Sequence, residues 1–153
     1  MTPALLIEAI RRRHSDLVAT DSWGETGLFL NPGGGLKRGV YVATVKTKDG
    51  ANDRASALDR PGIFRLNIGV PPAVCEALFG RRPTRPSRRG IVNTRHDFAA
   101  TDTLTPHPVY GWMGWVAILN PSERRWPHLA ELIDAAHAKG AAAASKRLAK
   151  EQP

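Results

Sequence analysis

The sequence predicts an α+β protein: a single antiparallel sheet of about 4–6 strands, with N- and C-terminal helices packed on one face. Two observations point there. Apolar residues recur at helical spacing at both ends of the chain, while the middle alternates at the strand period of two. Successive strands also lack the intervening helices that a parallel, Rossmann-type sheet would need.

Residues 3–13 read as the first helix. Leu5, Leu6, Ala9 and Ile10 share one face, and Thr2 with Pro3 forms its start. Residues 26–30 and "RGVYVATVKTKDG" form a hairpin, separated by the turn "NPGGG". In the second of these strands, alternation places Val40, Val42 and Thr44 on one side and Tyr41, Ala43 and Val45 on the other. "IFRLNIGV" alternates most cleanly: Phe64, Leu66, Ile68 and Val70 face the core, and Arg65, Asn67 and Gly69 face outward, Arg65 towards an acid such as Asp59. "PPAVCEALFG" is a helix of about two turns, with proline at its start and Gly80 at its end. Residues 80–111 are irregular. "WMGWVAILN" is a strand apolar enough to be buried on both faces, and the terminal helix carries a core stripe of Leu129, Leu132, Ile133 and Ala136. One α+β domain over residues 1–140 is expected, with an Ala/Lys-rich helical tail at 141–153 that frays.

The chain has 153 residues and one cysteine, Cys75, so an internal disulfide is excluded and a reducing cytoplasm is expected. No apolar run reaches the length of a membrane span, so no membrane partner is expected. The net charge of +8 falls to +3 without the five arginines of "GRRPTRPSRRG". Interleaved with Pro, Ser and Gly, Arg81, Arg82, Arg85, Arg88 and Arg89 read as a solvated loop or, in the alternative, as a phosphate-contacting patch on nucleic acid. Helix-turn-helix, zinc-finger and RNA-type aromatic motifs are absent, so base readout has no support. "NPGGG" lacks the Lys and the following helix of a phosphate-binding loop.

Chemistry concentrates in "DTLTPHPVYGWMGWV", residues 102–116. His107 lies between Pro106 and Pro108, which stiffen its backbone, and Tyr110 follows one turn later. A small-molecule or anion site is expected from Trp23, Lys46, Lys48, Arg60, Arg65, Asn67, His107 and Trp112, with Tyr41 and Trp115 among the aromatics beside the sheet. The alternative is an enzyme using His107 and Tyr110 in acid–base chemistry, with a natural product or antibiotic as its substrate class. His96, Asp97, Asp102 and His107 carry metal-ligating groups but match no established spacing, and neither metal nor cofactor is called for.

The segments "SWGE", "RGVYVATV", "FRLNIG", "GWMGWVAIL" and "LAELIDAAH" together resemble the YjbR/MmcQ-like proteins. "VKTKD", "LDRPGIFRLNIGV" and "DTLTPHPVYGWMGWV" are similar, over residues 20–138, to an uncharacterised bacterial family of unknown function. The broader resemblance implies a small cytoplasmic bacterial protein with the double-wing, frataxin-like α+β fold. It also implies a DNA-binding-like architecture, one named member being tied to resistance to a DNA-damaging antibiotic. The chain departs from that pattern at Gly114, where a basic or His residue usually precedes the Trp, and in its long 80–107 segment.

Overall fold

Thr2 begins the first helix, its hydroxyl accepting the Leu5 amide at 3.2 Å and Pro3 filling the first position, where no amide hydrogen is needed. A computed structural model describes residues 1–151. Helix α1 spans Pro3–Arg13 and buries Leu6 and Ile10, while Leu5 stays exposed. The hairpin of β1 (Val18–Ser22) and β2 (Glu25–Leu30) follows; the sequence pattern missed β1, because an exposed edge strand with polar residues shows no apolar alternation. Its two-residue turn, Trp23–Gly24, has positive φ at both positions, as a type I′ hairpin requires.

The turn at "NPGGG" is a short 3-10 segment over Pro32–Gly34. Then come β3 (Val40–Lys46), β4 (Arg65–Ile68), helix α2 (Pro72–Phe79), β5 (Thr105–Pro106), β6 (Val116–Leu119) and helix α3 (Trp126–Glu151). Every strand pairing is antiparallel, giving one open six-stranded sheet in the order β1-β2-β3-β4-β6-β5. This is the α+β class that the periodicities predict. The last strand is shorter than expected: residues 111–113 form a 3-10 turn, and pairing starts at Val116 after Gly114 takes a positive φ of 101°. All four β6 residues are buried, as the apolar run predicts.

The sheet's two faces differ. One carries Leu28, Ala43, Val45, Leu66, Ile68, Val116 and Ile118, which pack with Leu6, Ile10, Cys75, Leu129, Ile133 and Ala136 of the three helices. Cys75 is buried there, and burial pushes its thiol pKa up, which suits a small apolar residue better than a reactive one. Helix α3 comes down on β3 through Gly140; the residue is a weak helix former, but a Cβ there would crowd Val42 at 3.1 Å. The helix continues through the Ala-rich segment with Ala144 buried; residues 152 and 153 of the expected tail lie outside the described residues.

The second face decides where a ligand can sit. Pairing shifts between Leu28 and Phe29, so Val42 has no partner in β2 and forms a bulge. Strict alternation therefore fails in β3. Tyr41 and Thr44 end on the same face, away from α3, instead of on opposite faces. Arg65 and Asn67 also lie on that face, but they do not meet solvent: Arg65 is 0% exposed. Asp53 and Ser56 from the β3–β4 connection and His107 from the turn after β5 close over it.

Asn120 clamps one margin of that cover. Its backbone has φ 43°; its Oδ1 accepts the Phe64 amide at 2.9 Å, and its Nδ2 donates to the Gly62 carbonyl at 2.8 Å. Asn120→Ala removes both bonds and places a Cβ-bearing residue less tolerant of the left-handed region there. Urea denaturation is expected to show a loss of about 2–3 kcal/mol with an unchanged m-value. A loss below ~0.5 kcal/mol would mean the clamp contributes little.

Candidate functional site

Five N–H groups of the Arg65 guanidinium must find acceptors where no water reaches. Nε donates to Asn67 Oδ1 at 2.7 Å, and Nη1 donates to Asp53 Oδ1 and to Ser56 Oγ, each at 2.9 Å. Nη2 donates to Asp53 Oδ2. Asp53, not Asp59, is thus the partner, in a bidentate pair; Asp59 accepts the Asp49 amide instead. Burial alone would raise the Asp53 pKa, but the Arg65 hydrogen bonds and charge outweigh it and hold the carboxyl below its ordinary value.

The fifth hydrogen, on Nη2, points at His107 Nε2, 3.2 Å away. His107 is held from the other side. The amides of Val109 and Tyr110 both donate to its Nδ1 at 3.0 Å, and its own amide donates to the Trp115 carbonyl at 2.9 Å. Two donors at Nδ1 make that nitrogen the acceptor, so the neutral ring's proton belongs on Nε2. The Nε2–H and the Arg65 Nη2–H then face each other, two donors with no acceptor between them. The ring stays neutral as well. Burial first, and the neighbouring Arg65 charge second, push its pKa down to about 3, against a smaller upward pull from Asp53.

Asn67 Nδ2 donates to Thr44 Oγ1 at 2.9 Å, completing a polar floor that runs from β3 through β4 to the 107–110 turn. Above this floor lies a cavity of about 920 Å³. Trp23, Tyr41, Val109, Tyr110, Met113 and Trp115 form its aromatic and apolar wall. Gly27 gives it depth: a Cβ there would strike the Tyr41 ring, which lies across the bare backbone. Two of the acidic groups at its rim are already engaged. Lys46 Nζ is 3.3 Å from Glu25 Oε2, and Asp49 Oδ1 is engaged by the Leu58 amide at 2.8 Å.

Of the residues expected from sequence, Trp23, Lys46, Lys48, Asn67, His107 and Tyr110 line this cavity. Arg65 lies under the floor as its support. Arg60 is elsewhere, its guanidinium donating to the Ser56, Ala57 and Ala99 carbonyls, where it ties two loops together. Trp112 is also outside; it serves as a platform for Arg85, whose Cζ sits 4.9 Å from the ring centroid. Its neighbour Trp115, three residues on, takes the place in the wall. Thr44 and Asp53 escaped the sequence reading: the bulge at Val42 hides the face of Thr44, and Asp53 sits in a loop without periodicity.

Tyr110 is half exposed at the mouth, its ring centroid 5.1 Å from that of His107, with no hydrogen bond between the two side chains. A ring that stays neutral down to acid pH donates one hydrogen bond well and shuttles protons poorly. The loop residues considered for a metal are each spoken for separately. Asp102 accepts the Ser122 amide, Asp97 accepts the Ala99 amide, and His96 contacts Thr94, so they do not converge with the buried His107.

No helix among the described residues is long and apolar enough to cross a membrane. No curated protein and no solved structure matches the chain. A family model described as "Family of unknown function (DUF6194)" matches residues 1–150, and the chain therefore belongs to that family.

Proposed function

We propose that this protein binds a small neutral molecule with a flat, apolar body and a hydrogen-bond-accepting head. The observation that carries the reading is the aromatic-walled cavity over a polar floor of Thr44, Asn67 and His107, the last two contacted from below by the fully buried Arg65. A carbonyl or hydroxyl oxygen seated on the floor would accept from the lining Asn67 and His107 side chains, with Arg65 holding them from below, and the wall would bury the rest. A strongly anionic ligand is less well supported than the basic sequence suggests, because Arg65 and Lys46 already have acidic partners.

Binding is preferred to acid–base catalysis because burial keeps His107 neutral and Tyr110 is not hydrogen-bonded to it. The nucleic-acid reading loses part of its patch. Arg82 is paired with Glu76 at 3.0 Å and donates to the Trp112 carbonyl, and Arg85 lies over Trp112. A cytoplasmic setting and kinship with the YjbR/MmcQ-like proteins belong to the same proposal. They are supported by the lone cysteine and by the order of an antiparallel sheet between terminal helices.

A thermal-shift screen of neutral ring compounds, with inorganic phosphate as the anionic comparison, tests it. Neutral hits are expected to raise the wild-type melting temperature and perturb tryptophan fluorescence. Trp23→Ala and Tyr110→Ala remove exposed side chains at the mouth, so the fold stays intact while the shifts shrink. Trp112→Ala, outside the cavity, leaves them. Shifts that survive both mouth substitutions would place the ligand elsewhere, and a screen without hits would overturn the proposal.

A further inference from the structure

Outside the cavity, the end of α1 and the turn after it meet α3. His14 and Asp16 come from the first junction and His137 from the middle of α3. One ligating atom from each lies within 4.8 Å of the other two. We propose that these three residues form a site for a divalent transition-metal ion of the zinc class, clamping α3 to the α1–β1 connection.

The donor chemistry supports this class. Two imidazoles and a carboxylate are the ligands zinc takes in sites that leave a fourth position to water, and ions that prefer oxygen alone are disfavoured by the two nitrogens. His137 Nε2 stands 2.9 Å from both carboxylate oxygens of Asp16. Two ligands at zinc distances on a tetrahedron are separated by roughly 3.4 Å, so this pair needs little movement to admit the ion.

The third ligand is held by a second carboxylate. His14 Nε2 is 2.7 Å from Asp134 Oδ1, and Asp134 in turn receives two hydrogen bonds from Arg13, Nε at 2.7 Å and Nη2 at 2.8 Å. With Nε2 donating to Asp134, His14 presents Nδ1 as its free nitrogen. A carboxylate orienting the far nitrogen of a ligating imidazole is the usual outer support of a zinc site.

The rings of His14 and His137 are stacked, with centroids 4.1 Å apart and planes 17° from parallel. In that pose their in-plane lone pairs run side by side, so one ring must turn for both to face the ion. Both side chains are partly exposed, at 16% and 21%, which leaves them room to turn. Arg13 is the nearby cation, and its pairing with Asp134 offsets its repulsion.

Isothermal titration of the full chain with Zn²⁺ at pH 7.5, and with Co²⁺ read by visible absorption, tests the site. One ion per chain is expected, with a tetrahedral Co²⁺ spectrum. Asp16→Asn and His137→Ala are each expected to weaken affinity by roughly 10-fold or more. Asp16 is exposed, so its substitution leaves the fold intact even if His137→Ala does not fold. Asp134→Asn, acting through His14, should weaken affinity while preserving the stoichiometry. Absence of stoichiometric binding, or Asp16→Asn binding as tightly as wild type, would overturn the proposal.

Discussion

Asp53→Ala is expected to destabilise the protein by about 3–5 kcal/mol, the cost of leaving a buried charge without its partner. Arg65 has no exposed surface and relies on Asp53 for two of its four donated hydrogen bonds. Ser56, Asn67 and His107 supply no negative charge in compensation. For a chain of this length the loss should lower the melting temperature by on the order of 10 °C. Replacing both partners, as Asp53→Leu with Arg65→Met, should recover much of that loss, because an apolar pair needs no compensation. Urea unfolding of the single and double variants measures both effects. A single-variant loss under ~1 kcal/mol would show the pair to be solvated in solution, unlike its setting here.

Acidification should unfold the protein earlier than its surface charge alone would, and His107 should be the reason. Its folded-state pKa is pushed down to about 3 from an ordinary value of 6.5, so the native state refuses a proton that the unfolded chain accepts. Stability from this source is complete above pH 6.5. It is lost progressively as pH falls from there towards 3. Each unit of displacement is worth ~1.4 kcal/mol, so the total reaches several kcal/mol. Asp53 acts in the same direction but lower, its depressed pKa costing stability only as pH falls below its unfolded value of 3.8. Between pH 6.5 and 4 the two contributions separate. His107→Asn keeps an acceptor near the Val109 and Tyr110 amides but cannot titrate, so its stability should be much flatter across that window. Equal slopes for His107→Asn and wild type would show that His107 is hydrated and protonates freely.

Both predictions rest on a face of the sheet that local pattern describes only in part. Alternation in "IFRLNIGV" correctly placed Leu66 and Ile68 against Arg65 and Asn67, because side chains on a strand must alternate. It then equated the second face with solvent. That holds for an open antiparallel sheet, and fails here because two loops cover it. The same rule failed in β3 for a different reason. One unpaired residue, Val42, shifts every later side chain to the other face, and bulges have no reliable signature in a single strand's sequence.

The stiffened segment around His107 stood out in sequence by composition, and the fold sets it on the cavity floor. Its chemistry did not stand out. Two flanking prolines say nothing about which nitrogen carries the proton; the Val109 and Tyr110 amides and Arg65 decide that together. Trp112 and Trp115 show the limit of composition more sharply. Both occur in the same apolar run, and only the 3-10 turn at residues 111–113 and the positive φ of Gly114 send one to the cavity and the other to Arg85.

What the sequence by itself determined is what short-range physics governs: three helices, the end residues of the first two, the core stripes of the first and last, the strand faces in β4, the buried β6, and the α+β class. Tertiary structure alone decided the pairing of Arg65 with Asp53, the burial that keeps His107 neutral, and the meeting of His14 with His137. Each joins residues from separate elements, and their free energies depend on desolvation and distance, which exist only once the chain has closed on itself.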